Sequence, residues 1–357
     1  MSKPITISID AMGGDQGPPV VAAGVELALK RLGGRPVRFL LHGDHARIEA
    51  ELARLPAARA ASEIRHTDLM IAGDEKPAVA LRRGKGSSLW NAVEAIRNEE
   101  AEAAVSAGNT GALMAVSKLI LRTAPGIDRP AIVASWPTRR GVSAVLDVGA
   151  NISCDAAQLV EFAIMGEAFH CAVHGDDDPQ RRPTVGLLNV GSEDAKGHEE
   201  VREAHRLLRE AGLDLDYRGF VEGDDIAKGT VDVVVTDGFT GNIALKMAEG
   251  MARFFSGALR DTLTSGVAAK LGALIAMGAL KRMRARFDPS SVNGGPLLGL
   301  NGVVVKSHGG ADARGFANAI KVAADLAASD YADHIATNTQ RLGAALQAGK
   351  VAAEKAS

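Results

Sequence analysis

Short, unbroken apolar runs that end in a glycine-bearing turn and pass straight into a helical pattern constrain this chain most. The sharpest is DVVVTDGFTGNIALK, residues 232–246. Such a junction directs backbone N–H groups and the positive end of a helix dipole at one point, an arrangement that holds phosphate. The layout recurs where Val105 to Thr110 leads into Gly111 (AVSAGNTGALMA), where Leu146 to Val148 leads into Asn151 (LDVGANISCD), and where Leu187 to Val190 leads into Gly191 and Lys196 (LLNVGSEDAKG). The sequence thus reads as an enzyme that handles an anion on a parallel sheet.

Further strand-like runs fall at residues 5–9, 37–41, 103–105, 131–134, 144–148, 185–188, 217–221, 231–235 and 303–306. They are continuously apolar instead of alternating, which argues for strands covered on both faces. The expected fold class is α/β, a three-layer α/β/α architecture with a largely parallel or mixed central sheet, in one domain over residues 1–346. A helix is expected over 156–173 with Asp155 as its N-cap, another over 198–211 stopped by Gly212, and a long one from about Asp312 past Ala332. Residues 347–357 read as a frayed tail and 174–183 as an exposed loop. From Gly257 to Phe287 apolar residues at helical spacing precede Lys281, Arg282, Arg284 and Arg286. That stretch predicts a projecting helical hairpin whose apolar side serves as a dimer or core surface, or meets a membrane.

Composition narrows the function classes. With 41 basic and 43 acidic residues the net charge is −2, so no global field favours nucleic acid. Cys154 and Cys171 have no zinc-site spacing and read as small buried hydrophobes. No metal and no cofactor are expected. No charged-then-apolar leader opens the chain, and no apolar run reaches the roughly 18 residues that cross a bilayer, so a cytoplasmic location is expected.

The candidate chemistry lies at the strand ends. DAMGGDQGP places Asp10, Gly13 and Gly14 after the first strand, but its spacing is not that of a dinucleotide fingerprint. The chain also lacks a GxxxxGK[ST] loop, so a nucleoside triphosphate need not drive the reaction. RRGKGSSLWNAVEA brings Lys85, Ser87 and Ser88 to a helix start, readable as an anion cradle or as a cap among solvated charges. Asn109, Thr110 and Gly111 offer neutral donors for phosphate or a carbonyl oxygen. Lys196, bracketed by Gly191 and Gly197, is either a phosphate and oxyanion partner or a flexible surface amine. Asp237, Thr240, Gly241 and Asn242 stand at a helix start, where Asn242 can polarise a carbonyl and all can serve as caps. Lys306 and His308 lie at a last strand end. With no GxSxG elbow, no HExxH and no cysteine nucleophile, direct attack by a bound nucleophile is the economical mechanism.

Taken together, DAMGGD, SAGNTGALMA, GIDRPA, LDVGAN, GLLNVGSEDAKG, GFVEGDDI, DVVVTDGFTGN and GGPLLGLNGVVVKSHG resemble, in order and spacing, the bacterial phosphate acyltransferases of the PlsX family. The resemblance spans residues 5–325. It departs at Val292 and Asn293, where the family often carries a tyrosine before the glycine pair. It implies a fold like those of isopropylmalate dehydrogenases and phosphotransacetylases. It also implies transfer of a fatty acyl group from acyl carrier protein to inorganic phosphate for phospholipid synthesis. A homodimer and peripheral association with the inner face of the cell membrane follow from the same resemblance, with the downstream acyl-phosphate:glycerol-3-phosphate acyltransferase as a further partner. On this reading Lys196 and Asn242 are catalytic, with the helix amides after Thr240 completing the oxyanion hole. Asp10, Gly13, Gly14, Lys85, Ser87, Ser88, Asn109, Thr110, Gly111, Asn151, Asp237, Thr240, Gly241, Lys306 and His308 line the substrate cleft. Arg139, Arg140, Lys281, Arg282, Arg284 and Arg286 are candidates for steering the acidic carrier protein or meeting lipid. A short-chain phosphotransacetylase using coenzyme A, and a noncatalytic scaffold for carrier protein and membrane, are the rival readings.

Overall fold

The structure, a computed structural model, describes residues 4–175, 181–286 and 288–356. Its strands are β1 (Ile5–Asp10), β2 (Val37–Gly43), β3 (Ser62–His66), β4 (Ala103–Ser106), β5 (Ala131–Pro137), β6 (Val142–Leu146), β7 (Thr184–Leu188), β8 (Asp216–Val221), β9 (Val233–Val235), β10 (Gly295–Leu298) and β11 (Val303–Lys306). They form one mixed sheet in the order β3-β2-β1-β4-β11-β10-β5-β6-β9-β7-β8. Strands β3, β2, β1, β4 and β11 run parallel, as do β6, β9, β7 and β8 among themselves. Between them β10 is antiparallel to both β11 and β5, and β5 is antiparallel to β6. The two parallel groups therefore run in opposite directions.

The helices are α1 (Pro18–Arg31), α2 (His45–Leu52), α3 (Pro56–Ala61), α4 (Pro77–Arg83), α5 (Ser88–Arg97), α6 (Thr110–Leu121), α7 (Ala156–His174), α8 (Glu199–Glu210), α9 (Gly223–Lys228), α10 (Gly238–Thr264), α11 (Val267–Arg286), α12 (Ala313–Ala328) and α13 (Tyr331–Ala356). They cover the sheet on both faces, which is why its strands carry unbroken apolar runs. Helices α1 and α12 close on each other because Gly24 has no side chain; a Cβ there would stand 2.8 Å from the Phe316 ring. Helix α7 lies on β6 and β9 in the same way, since a Cβ on Gly166 would meet Val233 at 2.6 Å and Leu146 at 2.7 Å. Its Phe162, Met165 and Phe169 are fully buried, each worth roughly 1.5–3 kcal/mol of burial. Asp155 caps α7 in a reciprocal capping box with Gln158. Helix α7 is long and apolar enough to cross a bilayer, yet it is 72% buried inside the protein, as a core helix is.

Several expectations change. Strand β3 was not anticipated because SEIRH is a charged edge strand, paired among the described residues only with β2 and tied by Arg38 and Arg65 to Glu63. Strand β10 opens on Gly-Pro, a turn signal. The helix after Asp312 breaks at Ser329, which is extended, so α12 and α13 are separate; α13 remains helical to Ala356 where a frayed tail was expected. Of the loop over 174–183, residues 176–180 lie outside the described residues. The hairpin begins at Gly238, not Gly257: α10 runs unbroken from the TDGFTGN corner to Thr264, and α11 turns back at 118°.

Candidate active site

Three strand ends of the second group stand side by side. In register, Leu187 of β7 pairs with Val235 of β9, which pairs with Leu146 of β6. The corners that follow, carrying Lys196, Asn242 and Asp147, therefore leave the sheet from neighbouring positions at one edge.

The central corner is set by Asp147. Its carboxylate is fully buried, with Oδ1 accepting from the amides of Ile132 (3.0 Å), Gly149 (3.2 Å) and Ala150 (3.1 Å). Oδ2 accepts from the Asn151 amide (2.6 Å) and from Asn151 Nδ2 (3.0 Å). Burial pushes this carboxyl above its ordinary range, against the pull of those donors. The residue is hidden in the sequence because the strand-like run over 144–148 passes through it. The Asn151 side chain also donates to Pro130 O at 2.9 Å, so its amide holds the loop together instead of facing solvent.

Helix α10 is pressed onto that loop. Gly238 N donates to Asn151 O at 2.7 Å, and a Cβ on Gly241 would lie 1.9 Å from Asp147 O, a distance only glycine permits. Asp237 caps the helix, accepting from Thr240 N (2.9 Å) and Thr240 Oγ1 (2.7 Å). The expectation that the helix amides after Thr240 complete the oxyanion hole is not met at Gly241, whose N–H donates to Asp237 O (2.9 Å); the Gly238 and Thr240 N–H groups before it also have acceptors. In this first turn Phe239 N has no acceptor among the described residues. The exposed Asn242 side chain lies over Gly149, with Oδ1 3.6 Å from where a glycine Cβ would be, and its amide makes no hydrogen bond among the described residues.

Next to it, Asn189 shapes the lysine loop. Its Nδ2 donates to Lys196 O at 3.2 Å, and Gly197, at φ +88°, packs so close that a Cβ would fall 2.2 Å from Asn189 Oδ1. The Lys196 chain lies across Gly191, and its exposed ammonium forms no ion pair among the described residues. A cation and an uncommitted amide thus stand at neighbouring strand ends, a pairing suited to a phosphate and a developing oxyanion.

The other expected residues form a separate cluster at the ends of β1, β4 and β11, where Asp10, Ser106 and Lys306 align in register. Because these strands run opposite to β6, β9 and β7, the two groups leave the sheet at opposite edges, and no hydrogen bond among the described residues joins them. Here several of the side chains are committed. Asp10 is buried and accepts from Ser106 Oγ (2.7 Å), Met12 N (3.3 Å) and Gly13 N (3.2 Å), with burial pushing its carboxyl up. Gly13 and Gly14 are required by close approach to Asp10 and Ala107. Lys306 donates to Ala107 O and Ser307 O, and burial lowers it to about 8 despite the charges of Asp10 and Asp15. Asn109 caps α6 through Ala112 N (2.8 Å) while its Nδ2 holds Gly73 O (2.7 Å) and Glu75 O (3.3 Å), and Gly111 abuts Pro77. Ser87 caps α5, Ser88 is buried, and Lys85, Thr110 and His308 are exposed. His308 Nδ1 accepts from Gly310 N at 3.1 Å. Arg139 and Arg140 are exposed in the β5–β6 turn, and Lys281 and Arg282 are exposed on α11; the side chains of Arg284 and Arg286 lie outside the described residues. Among the described residues no three histidine, cysteine or acidic side chains are placed to hold a metal. Cys154 is half-buried, and burial pushes its thiol up to about 12.

A family model described as fatty acid synthesis protein matches residues 5–334. The phosphate acyltransferase of Caulobacter vibrioides is 69% identical over 98% of this chain and 96% of its own length. This chain belongs to the phosphate acyltransferase family. The family relative from Phenylobacterium zucineum is 61% identical over 97% of each protein. Among solved structures, a phosphotransacetylase from Streptococcus pyogenes superposes with a TM-score of 0.63 at 19% identity, covering 92% of this chain and 95% of that one. The EutD phosphotransacetylase from Staphylococcus aureus gives 0.58 at 16%, covering 91% and 94%. At these identities the two structures show a shared α/β fold, as the family resemblance implied.

Proposed function

We infer that this phosphate acyltransferase family member moves a fatty acyl group from acyl carrier protein to inorganic phosphate, supplying acyl phosphate for phospholipid synthesis. The observation that carries the reading is the uncommitted Lys196 ammonium and Asn242 amide at neighbouring strand ends. Lys196 holds the phosphate, one of whose oxygens attacks the thioester carbonyl. The carbonyl electrons move onto its oxygen, where Asn242 Nδ2 and Phe239 N–H receive the charge. The tetrahedral species collapses, the carbon–sulfur bond breaks, and the carrier thiolate leaves with that electron pair. Holding the two reactants in place and stabilising the oxyanion account for the acceleration. No covalent enzyme intermediate is formed.

The protein works as a homodimer on the cytoplasmic face of the membrane, next to the acyltransferase that consumes its product. This part of the proposal rests on the α10–α11 hairpin, whose Phe254, Phe255, Leu271, Leu274 and Ile275 are exposed, a concentration of apolar surface that suits a partner or a lipid boundary. Arg139, Arg140, Lys281 and Arg282 steer the acidic carrier protein.

The test is phosphate-dependent thiol release from palmitoyl acyl carrier protein, run beside acetyl coenzyme A. Release and acyl phosphate formation with the carrier substrate alone are expected. Turnover restricted to acetyl coenzyme A would replace this reading with a short-chain phosphotransacetylase, and binding without turnover would leave a scaffold. Analytical ultracentrifugation and flotation with anionic vesicles check the dimer and the membrane contact: Phe254→Ser with Phe255→Ser should reduce at least one of them.

A further inference from the structure

We propose that Asp147 is a positioning residue for acyl transfer, acting through Asn242. This rests on the reading of Asn242 given above. The carboxylate gathers four backbone amides and the Asn151 side chain, folding residues 147–151 into a tight loop under the start of α10. Two contacts transmit that fold to the helix: Gly238 N donates to Asn151 O, and Gly241 lies against Asp147 O. A third reaches the reacting group itself, since the Asn242 side chain rests on Gly149, the residue whose amide Asp147 holds. Gly149 has φ +139°, so the loop keeps this shape only with glycine there and with a carboxylate receiving its N–H groups. A neutral amide at position 147 replaces one acceptor oxygen with a donor facing other donors. The loop then loosens, and the Asn242 amide loses its aim at the developing oxyanion. Because the ground-state phosphate is held by Lys196 on a different loop, the loss falls on kcat and not on the KM for phosphate.

The experiment is a double-mutant cycle with palmitoyl acyl carrier protein and inorganic phosphate, using the full-length chain and recording Tm for each protein. Asp147→Asn is expected to lower kcat about tenfold with the phosphate KM within about twofold of the parent. In the Asn242→Ala background, Asp147→Asn should cost much less than the tenfold it costs in the parent, because the side chain it chiefly positions is gone and only the Phe239 N–H remains on the same helix start. If Asp147→Asn does not fold, Gly149→Ala is read in the same cycle, since it changes the seat of Asn242 while leaving the carboxylate in place. Losses that multiply in the double variant overturn the positioning role, as does a rise in phosphate KM with kcat unchanged. A wild-type rate in Asn242→Ala alone overturns the site reading beneath it, which is a separate result.

Discussion

His42 sits in the core with Nε2 2.9 Å from Ser8 Oγ and Nδ1 without a partner among the described residues. Burial, with the Arg65 charge adding to it, pushes its imidazole down to about 4. Below pH 6.5 the unfolded chain takes up a proton that the native ring refuses. The stability this neutral ring contributes is thus complete above pH 6.5 and is lost as the pH falls toward 4, on the order of 2–3 kcal/mol. Glu161 works the other way: burial raises it to about 7, so its cost appears as the pH rises from 4.5 to 7. His42→Gln, which can keep the bond to Ser8, should flatten the fall in Tm between pH 7 and 4.5; superimposable curves would contradict this. At this scale the sequence is least transparent. Asn109 and Asp237 stand at helix starts where a cap and a substrate ligand look alike, because both roles need a short side chain with an oxygen. Only distant neighbours separate them: Gly73 and Glu75 claim the Asn109 amide, whereas nothing among the described residues claims that of Asn242.

Elements were legible where burial on both faces wrote an apolar run into the chain, and obscure where it did not. β1, β4, β6 and β9 announce themselves; β3, at the sheet edge, carries Glu63 and Arg65 and shows no such run. The start of α10 was readable as a strand–turn–helix corner, but its continuity into the hairpin was not, since Gly250 and Gly257 interrupt the helical pattern. That start is also the least tolerant point of the element. Gly241→Ala would place a methyl carbon 1.9 Å from Asp147 O and 3.0 Å from Thr236 Cγ2, both on packed structure. The helix must then lift from β6, and a loss of about 3 kcal/mol is expected, read as a lowered Tm together with lost acyl transfer. An unchanged Tm would show that the corner is looser than drawn.

For the whole molecule, the direction of the strands decides more than the motifs do. The strand-end corners, alike in sequence, suggested one pocket; the reversal between β5 and β6 divides them into an Asp10–Lys306 group and a Lys196–Asn242 group at opposite edges. Sequence spacing carries no sign of strand direction, so this division was not readable before the fold. On the proposal made above, the Lys196–Asn242 group is the seat of chemistry, because there a cation and an amide stand uncommitted among the described residues. Steady-state phosphate-dependent thiol release from palmitoyl acyl carrier protein by Lys196→Ala and Asn242→Ala, with Tm recorded alongside, tests this most directly. Each should lose about a hundredfold or more in kcat/KM with Tm unchanged; parental rates in both, on folded protein, would contradict it.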